Sequence, residues 1–509
     1  MKKNILTSVA ALTCLSALNA QSLFKDLVPG AHPMSSSIEE FMNVNGTLFM
    51  RGKTMIAGSS AGIHKLWKSD GTAENTVLVK DSVAVTATGG MKFCANINGT
   101  LYYIVSHTAS FSATTSTELW KTDGGTPVLV TTLSHQYGTG GGGSPRNFVA
   151  VGDKLFFNMG QSNGRELWVS DGTAAGTVEV TDLAPGEIVP GVDYNGLQDE
   201  PMVAFNGKVY FSGTATGMDP ELYSSDGTAA GTTLVHEIAG PNSMEPHKWL
   251  VHNNTLFFIA SDGNQDNLWK TDGTTALQLT TSPIGVHDLV VFDNKVHFIM
   301  GSAELWSTDG TVAGTTLISA GSGYSFKGAN SDYLFTSSQR TDGTTALEDV
   351  SAALLSHASF VVLDNNMYTS VLNQGTFTAT LWESDGTDAG TTGLITGYVG
   401  NPFVFNNTVF FTNHDNDNGY ELWTLDGSQA AITETEHQQI SVYPNPSGGI
   451  FNVKTGDTNA SFNVHNTIGE TVHEQQGGES IDLSALPKGI YFLDIIAKGI
   501  AYTQKIILQ

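Results

Sequence analysis

Short apolar runs, many alternating with polar residues, follow one another along most of the chain, and Asn, Asp and Gly break them every few positions. Such runs predict strands, and the breaks predict tight turns. Phe205-Asn206-Gly207-Lys208-Val209-Tyr210-Phe211 is typical, and Val44-Asn45-Gly46-Thr47-Leu48-Phe49 and Val151-Gly152-Asp153-Lys154-Leu155-Phe156-Phe157 repeat it. Asn-Gly between apolar runs predicts a two-residue hairpin, because a type I′ turn requires positive φ at both central positions. A second element, Leu-Trp-x-Ser/Thr-Asp-Gly-Thr, comes next, and a third such as Gly231-Thr232-Thr233-Leu234-Val235 follows it. Each repeat therefore predicts four short antiparallel strands in about 40–45 residues, the size of one propeller blade.

The copies carry Trp67/Asp70, Trp120/Asp123, Trp168/Asp171, Tyr223/Asp226, Trp269/Asp272, Trp306/Asp309, Trp382/Asp385 and Trp423/Asp426. One eroded copy keeps only Thr341-Asp342-Gly343-Thr344, and the aspartates are spaced 53, 48, 55, 46, 37, 33, 43 and 41 residues apart. Seven of the eight tryptophans fall in the motif, a distribution chance does not produce. Alternate side chains of a strand point to opposite faces, so Leu167 and Trp168 are expected in different spaces between blades. Each Asp is expected to accept N–H groups across its own turn while the following Gly supplies positive φ. That makes the aspartates hairpin caps rather than a ring of ligand sites.

Leu23-Phe24-Lys25-Asp26-Leu27-Val28-Pro29-Gly30 resembles Val180-Thr181-Asp182-Leu183-Ala184-Pro185-Gly186, the last strand of a repeat. A leading fourth strand predicts that the two chain ends share one blade, which hides sheet edges. The expected architecture is all-β: a closed β-propeller of about 8–9 four-stranded blades over 21–432, then a small C-terminal β-sandwich. The repeats resemble the ELWxxDGT family of bacterial surface and secreted proteins over roughly 23–430, with Tyr223 and Gly125 as departures. That resemblance implies a propeller-like array and brings no catalytic residue with it.

Met1-Lys2-Lys3, the apolar stretch Ile5 to Leu18 and Asn19-Ala20-Gln21 have the layout of a signal peptide, residues 1–20, cut between Ala20 and Gln21. The stretch is too short for a comfortable membrane span. Cleavage removes Cys14 and leaves Cys94, expected to be a small core residue, without a partner for an internal disulfide. At the other end, 433–439 reads as a polar linker, and alternating strands fill 440–509. Tyr443-Pro444-Asn445-Pro446, Gly448, Gly489, Tyr491 and Lys505 make this segment resemble the type A C-terminal sorting domain of the type IX (Por) secretion system of Bacteroidetes. The resemblance implies the secretion machinery as a partner and a product that is released or attached at the outer cell surface.

With 49 Asp+Glu against 23 Lys+Arg, the net charge of −26 argues against nucleic acid or an anionic membrane as a partner. Catalytic signatures are absent or misplaced. Gly58-Ser59-Ser60-Ala61-Gly62 lacks the helix of a nucleophile elbow, and Gly138-Thr139-Gly140-Gly141-Gly142-Gly143 lacks a βαβ setting. No cofactor is expected. The one weak metal candidate is calcium at Asp415 and Asp417, in the loop Asn413–Gly419. A repeat built from turn and packing residues predicts a secreted or surface binding, adhesion or scaffold module, with a glycan or surface protein as ligand. Its ligand loops are expected in 105–117, 135–146 and 187–200. The alternative is an extracellular polysaccharide hydrolase or lyase whose carboxylates converge in the channel from different blades; a third reading is a plain adhesion spacer.

Overall fold

A computed structural model of the chain describes residues 20–509 apart from 28–35, 56–61, 86–89, 108–113, 137–142, 162–163, 184–195, 198–199, 216–219, 238–243, 303, 322–324, 338, 344–346, 351–359, 374, 377, 401, 416–418, 427–440, 455–459, 467–470 and 498–499. Residues 1–19 of the expected signal peptide 1–20 and the linker 433–439 lie outside these residues. The chain divides into two compact units, 1–429 and 430–509.

The first unit is a β-propeller, with nine four-stranded antiparallel blades among the described residues. Blades 1 to 8 span 36–85, 90–136, 146–181, 203–236, 247–278, 286–320, 326–349 and 361–397. The short strand Gly196–Leu197 bridges blades 3 and 4. Blade 9 spans 403–426 and takes its fourth strand from the opposite end of the chain, Ala20–Lys25, which pairs antiparallel with Gly419–Asp426. First strands of neighbouring blades approach one another, so they form the inner wall. The eroded copy builds its own blade, the seventh, from Phe326–Ala329, Leu334–Thr336, Gln339–Thr341 and Glu348–Asp349.

Turn chemistry accounts for the hairpins. Asn45 and Gly46 hold φ of 49° and 85°, the left-handed pair a type I′ turn needs. Where glycine is missing, Asn253-Asn254, Asp293-Asn294, Asp364-Asn365 and Asn406-Asn407 adopt the same pair, because Asn and Asp tolerate that region better than other side chains. Blade 7 closes its turn differently: Asn330 Oδ1 accepts from the amides of Asp332 and Tyr333 at 3.0 and 2.8 Å.

The two motif residues divide their work between the neighbouring spaces. Leu66 shares a core with Phe93, Tyr103 and Trp120 of blade 2. Leu119 shares the next with Phe157 and Trp168 of blade 3, and Leu167 the next with Phe211 and Tyr223 of blade 4. All eight motif leucines are fully buried, each worth about 1.5–3 kcal/mol of transfer free energy. The indoles of Trp120, Trp168 and Trp306 stack against their register partners Tyr103, Phe157 and Phe298 on the second strand, with centroids 6.2–6.5 Å apart. The same packing closes the ring. Ile38, Leu48 and Met50 of blade 1 pack with Phe405, Phe410 and Leu422 of blade 9, and Phe41 stacks on Phe403. Cys94 stands at a first-strand bulge, half-buried against the blade 2–3 core rather than within it.

The second unit consists of two sheets, one of three strands and one of four, over a common core. Phe451, Val453 and Ile481 come from one sheet; Phe462, Val464, Leu493, Ile495 and Ile506 come from the other.

Candidate functional site

An antiparallel meander alternates its connections between two ends of the blade. First-to-second-strand hairpins and Asp-Gly-Thr turns fall at one end, called here the turn end. Second-to-third-strand hairpins and the crossovers to the next blade fall at the other, the crossover end.

At the turn end the hydrogen bonding is closed upon itself. Asp171 Oδ1 accepts from the Thr173 amide at 2.8 Å and from its hydroxyl at 2.7 Å. Ser170 Oγ accepts from the Gly172 amide, Thr173 Oγ1 from the Gly176 amide, and the Thr177 hydroxyl donates to the Thr173 carbonyl. Asp70, Asp226, Asp309 and Asp385 repeat the two bonds from the threonine, as does Asp272. These bonds favour the ionised form and hold Asp70, Asp171, Asp226, Asp272 and Asp309 below the usual carboxylate range. The trailing glycine has a steric cause: a Cβ at Gly176, Gly231, Gly314 or Gly390 would collide with the carboxylate of its own turn. In blade 1 that position is Asn75, whose amide instead donates to Asp70 Oδ2 at 2.7 Å.

Asp123 keeps the amide bond of this pattern but lacks the bond from a hydroxyl. Gly125 stands where seven of the other copies have threonine and the ninth has Ser428, so the capping hydroxyl is missing, and the exposed Asp123 accepts one turn bond among the described residues, from the Gly125 amide at 2.9 Å. The Thr122 hydroxyl does what Ser170 does in blade 3, accepting from the Gly124 amide, and it donates to the Gly125 carbonyl, both at 3.0 Å. In the eroded copy Thr341 Oγ1 accepts from the Gly343 amide at 3.1 Å, while Thr344, the residue that would cap Asp342, lies outside the described residues. Asp426 ends its strand, and the turn after it likewise lies outside them.

Turns are also capped by the preceding blade. Lys68, Lys121 and Lys154 donate to the carbonyls of Gly124, Gly172 and Asp226, and Arg340 donates to Gly386. Asn206 of blade 4 caps Asp272, and Asn406 of blade 9 caps Asp70 of blade 1 at 2.9 Å. One kind of contact thus joins consecutive blades and the two ends of the chain alike.

The glutamate that often precedes Leu-Trp is a structural clamp whose role depends on its distant partner. Glu166 Oε2 accepts from the Leu183 amide, and Glu421 Oε2 from the Leu27 amide at 2.7 Å, tying down the segment that leaves the fourth strand. Glu118 and Glu304 accept from the indole N–H of Trp120 and Trp306. Burial of Glu166 pushes its pKa up to about 8, a neutral carboxyl in the packed blade.

All three variable stretches, 105–117, 135–146 and 187–200, fall at the crossover end, and much of each lies outside the described residues. The inner wall there carries polar residues the repeat did not foretell. Asn147, Lys248 and Asp288 occupy first-strand bulges of blades 3, 5 and 6 with φ of 56°, 55° and 55°. Non-glycine residues held there cost of order 1–3 kcal/mol, and bulges re-aim side chains. Lys248 Nζ lies 3.6 Å from Asp288 Oδ1, His287 Nδ1 lies 3.5 Å from Asp288 Oδ2, and Asn147 donates to the Glu200 carbonyl. The signal was present as Arg146-Asn147-Phe148, His247-Lys248-Trp249 and His287-Asp288-Leu289, a polar pair before each apolar run.

Asp415 ends the strand Thr408–Asp415, and Asp417 lies outside the described residues. Among the described residues no three His, Cys, Asp or Glu side chains are placed to hold a metal ion, and no helix is long and apolar enough to cross a membrane. Gly62 of the G-x-S-x-G sequence opens the strand Gly62–Ser69, not a helix. In the C-terminal unit, Asn445 donates to the Lys505 carbonyl and accepts from the Ile507 amide, fastening the Tyr-Pro-Asn-Pro turn to the last strand. The Tyr491 hydroxyl donates to the Pro487 carbonyl at 2.7 Å.

Residues 441–509 match the family model of the secretion system C-terminal sorting domain. The chain thus carries a sorting domain of the Por (type IX) secretion system and is a secreted or cell-surface protein of Bacteroidetes type. No curated protein matches it. Among solved structures it is similar to a computationally designed protein, Ika8, at 14% identity over 79% of this chain and 99% of that one, with a TM-score of 0.37. BamB from Moraxella catarrhalis aligns at 11% identity over 77% and 99% of the two chains, also with a TM-score of 0.37. The β-propeller domain of the Trilobed protease from Pyrococcus furiosus aligns at 9% over 73% and 97%, with a TM-score of 0.35. Likenesses this distant say nothing about activity; the strand pairings themselves carry the fold.

Proposed function

We propose that the propeller is an exported binding or adhesion module without chemistry of its own, built from ELWxxDGT-type repeats and preceded by a signal peptide cut between Ala20 and Gln21. One observation carries this reading: the repeated polar groups are consumed in their own turns and in blade-to-blade caps, so the motif is scaffold. Ligand contact is left to what differs between blades, the crossover-end loops and the inner-wall residues Asn147, Lys248 and Asp288. A rigid ring presenting variable loops at one end is a surface suited to a glycan or to a protein of the cell envelope. The glutamates of the repeat support the absence of catalysis, since Glu166 and Glu421 are buried and spent on backbone amides.

The test is adsorption of the mature protein to insoluble polysaccharides and to isolated cell envelopes, with release of soluble sugar measured in the same tubes. Retention without release is expected, weakened by the paired change Lys248→Ala with Asp288→Ala. Sugar release that Asp288→Asn abolishes would replace this reading with a channel-sited hydrolase. No retention on any surface would reduce the propeller to a spacer.

A further inference from the structure

At the crossover end of blade 9 three aromatic rings meet. His414 and Tyr420 are cross-strand partners on Thr408–Asp415 and Gly419–Asp426, with ring centroids 4.9 Å apart and planes inclined at 64°. Tyr398 belongs to the crossover from Thr392–Gly397 to Phe403–Phe405, and its ring touches both, at 5.4 Å from His414 and 6.1 Å from Tyr420. The crossover is fixed where Tyr398 leaves it. The Gly400 amide donates to the Thr412 carbonyl at 2.8 Å, the Ser370 hydroxyl donates to the Val399 carbonyl at 2.8 Å, and Val399 is buried.

Tyr398 nonetheless keeps 48% of its surface exposed, one of few large aromatic side chains among the described residues of the propeller left in solvent. Its neighbours meet it at 75° and 67°, so neither lies flat upon it. Within this group His414 Nε2 is buried and has no hydrogen-bond partner among the described residues, an unpaired polar atom of the kind that native interiors seldom leave. No cation–π contact involves these three rings among the described residues, and the chain carries a net charge of −26.

We infer that this cluster is a binding subsite for a neutral saccharide, an inference that rests on the binding reading above and gives it a ligand class. One face of a pyranose ring presents C–H groups and is apolar, and those hydrogens complement the electron-rich face of a phenol. The hydroxyls at the ring edge stay in water, because Tyr398 is exposed, so the stacked face carries the affinity. An anionic polymer meets a like-charged protein and, among the described residues, no cation stacked on these rings, which favours an uncharged ligand. The rings are held by anchored backbone, so little freedom is lost when a sugar docks.

Affinity electrophoresis of the mature full chain provides the test, in gels cast with laminarin, galactomannan or alginate. Retardation by a neutral polymer and none by alginate is expected. Tyr398→Ala should weaken that retardation about tenfold, while Tyr398→Phe keeps it. Because Tyr398 is exposed, the alanine variant should melt with the parent, and a matching melting curve separates lost binding from lost folding. Wild-type retardation by Tyr398→Ala overturns the subsite but leaves the binding module standing. Retardation by alginate alone, or by none of the three polymers, also overturns the subsite, and the envelope adsorption experiment then decides the wider reading independently.

Discussion

The two ends of the blades obey different rules. At the turn end, sequence, geometry and hydrogen bonding recur in most blades, an Asp and a Gly, a pair of threonines and a donor from the blade before, and departures such as Asp123 and Asn75 follow from single residue changes. At the crossover end almost nothing repeats. Bulges hold Asn147, Lys248 and Asp288 in left-handed conformations, loops differ in length, and an aromatic cluster occurs on blade 9. Repetition in this molecule marks construction, and its breakdown marks where selection for a ligand can act.

The contrast can be broken in several ways, the most severe at the seam. Deleting residues 21–27 of the mature chain removes the strand that completes blade 9 and leaves Trp423 and Glu421 on an open edge; cooperative melting should fall by about 10 °C or more, or be lost. A smaller loss is expected at the turn end, where Gly176→Ala drives a methyl group into the Asp171 carboxylate. Urea unfolding should register about 2 kcal/mol, and a neutral outcome would mean that the trailing glycine has no steric role.

Glu166 sharpens the comparison through pH. Its pKa is raised in the folded protein to about 8, so the folded state keeps a proton that the unfolded chain releases. Stability from this group is therefore full below the ordinary glutamate range, and is lost as pH rises toward and through 8. Glu166→Gln should match the parent at pH 5 and exceed it by about 1–2 kcal/mol at pH 8.5; melting curves at the two values decide. The smallest effect belongs to the inner wall. Lys248→Gly removes a side chain from a left-handed backbone position, and should raise stability by about 0.5–1 kcal/mol while weakening adsorption. A loss of stability would mean that the bulge is not strained.

What the chain disclosed in advance follows the same division. Asn45-Gly46, the Leu-Trp pairs, the Asp-Gly-Thr turns and the leading strand over Leu23–Lys25 were legible because each is local chemistry written many times. The packing partners of Leu167 could be assigned to one side of its strand, since alternation fixes that much. The clamp role of Glu166 was not legible, because it depends on an amide at Leu183 brought near only by strand pairing. The aromatic cluster was hidden for a similar reason: Tyr398 lies in the crossover before blade 9 and Tyr420 on that blade's third strand, and neither is one of the recurring motif residues. Seven of the turns declared themselves through Asn or Asp at left-handed positions, but blade 7 replaced that device with the side chain of Asn330.

The borrowed strand also sets a timetable. Leu27 and its clamp Glu421 are 394 residues apart along the chain, so the earliest strand waits for the final blade before it can pair. The sorting module begins at residue 441, only a short stretch beyond Asp426. The propeller's last partner and its address for export are therefore made almost together: a chain cut short before blade 9 has neither a closed ring nor a route out of the cell.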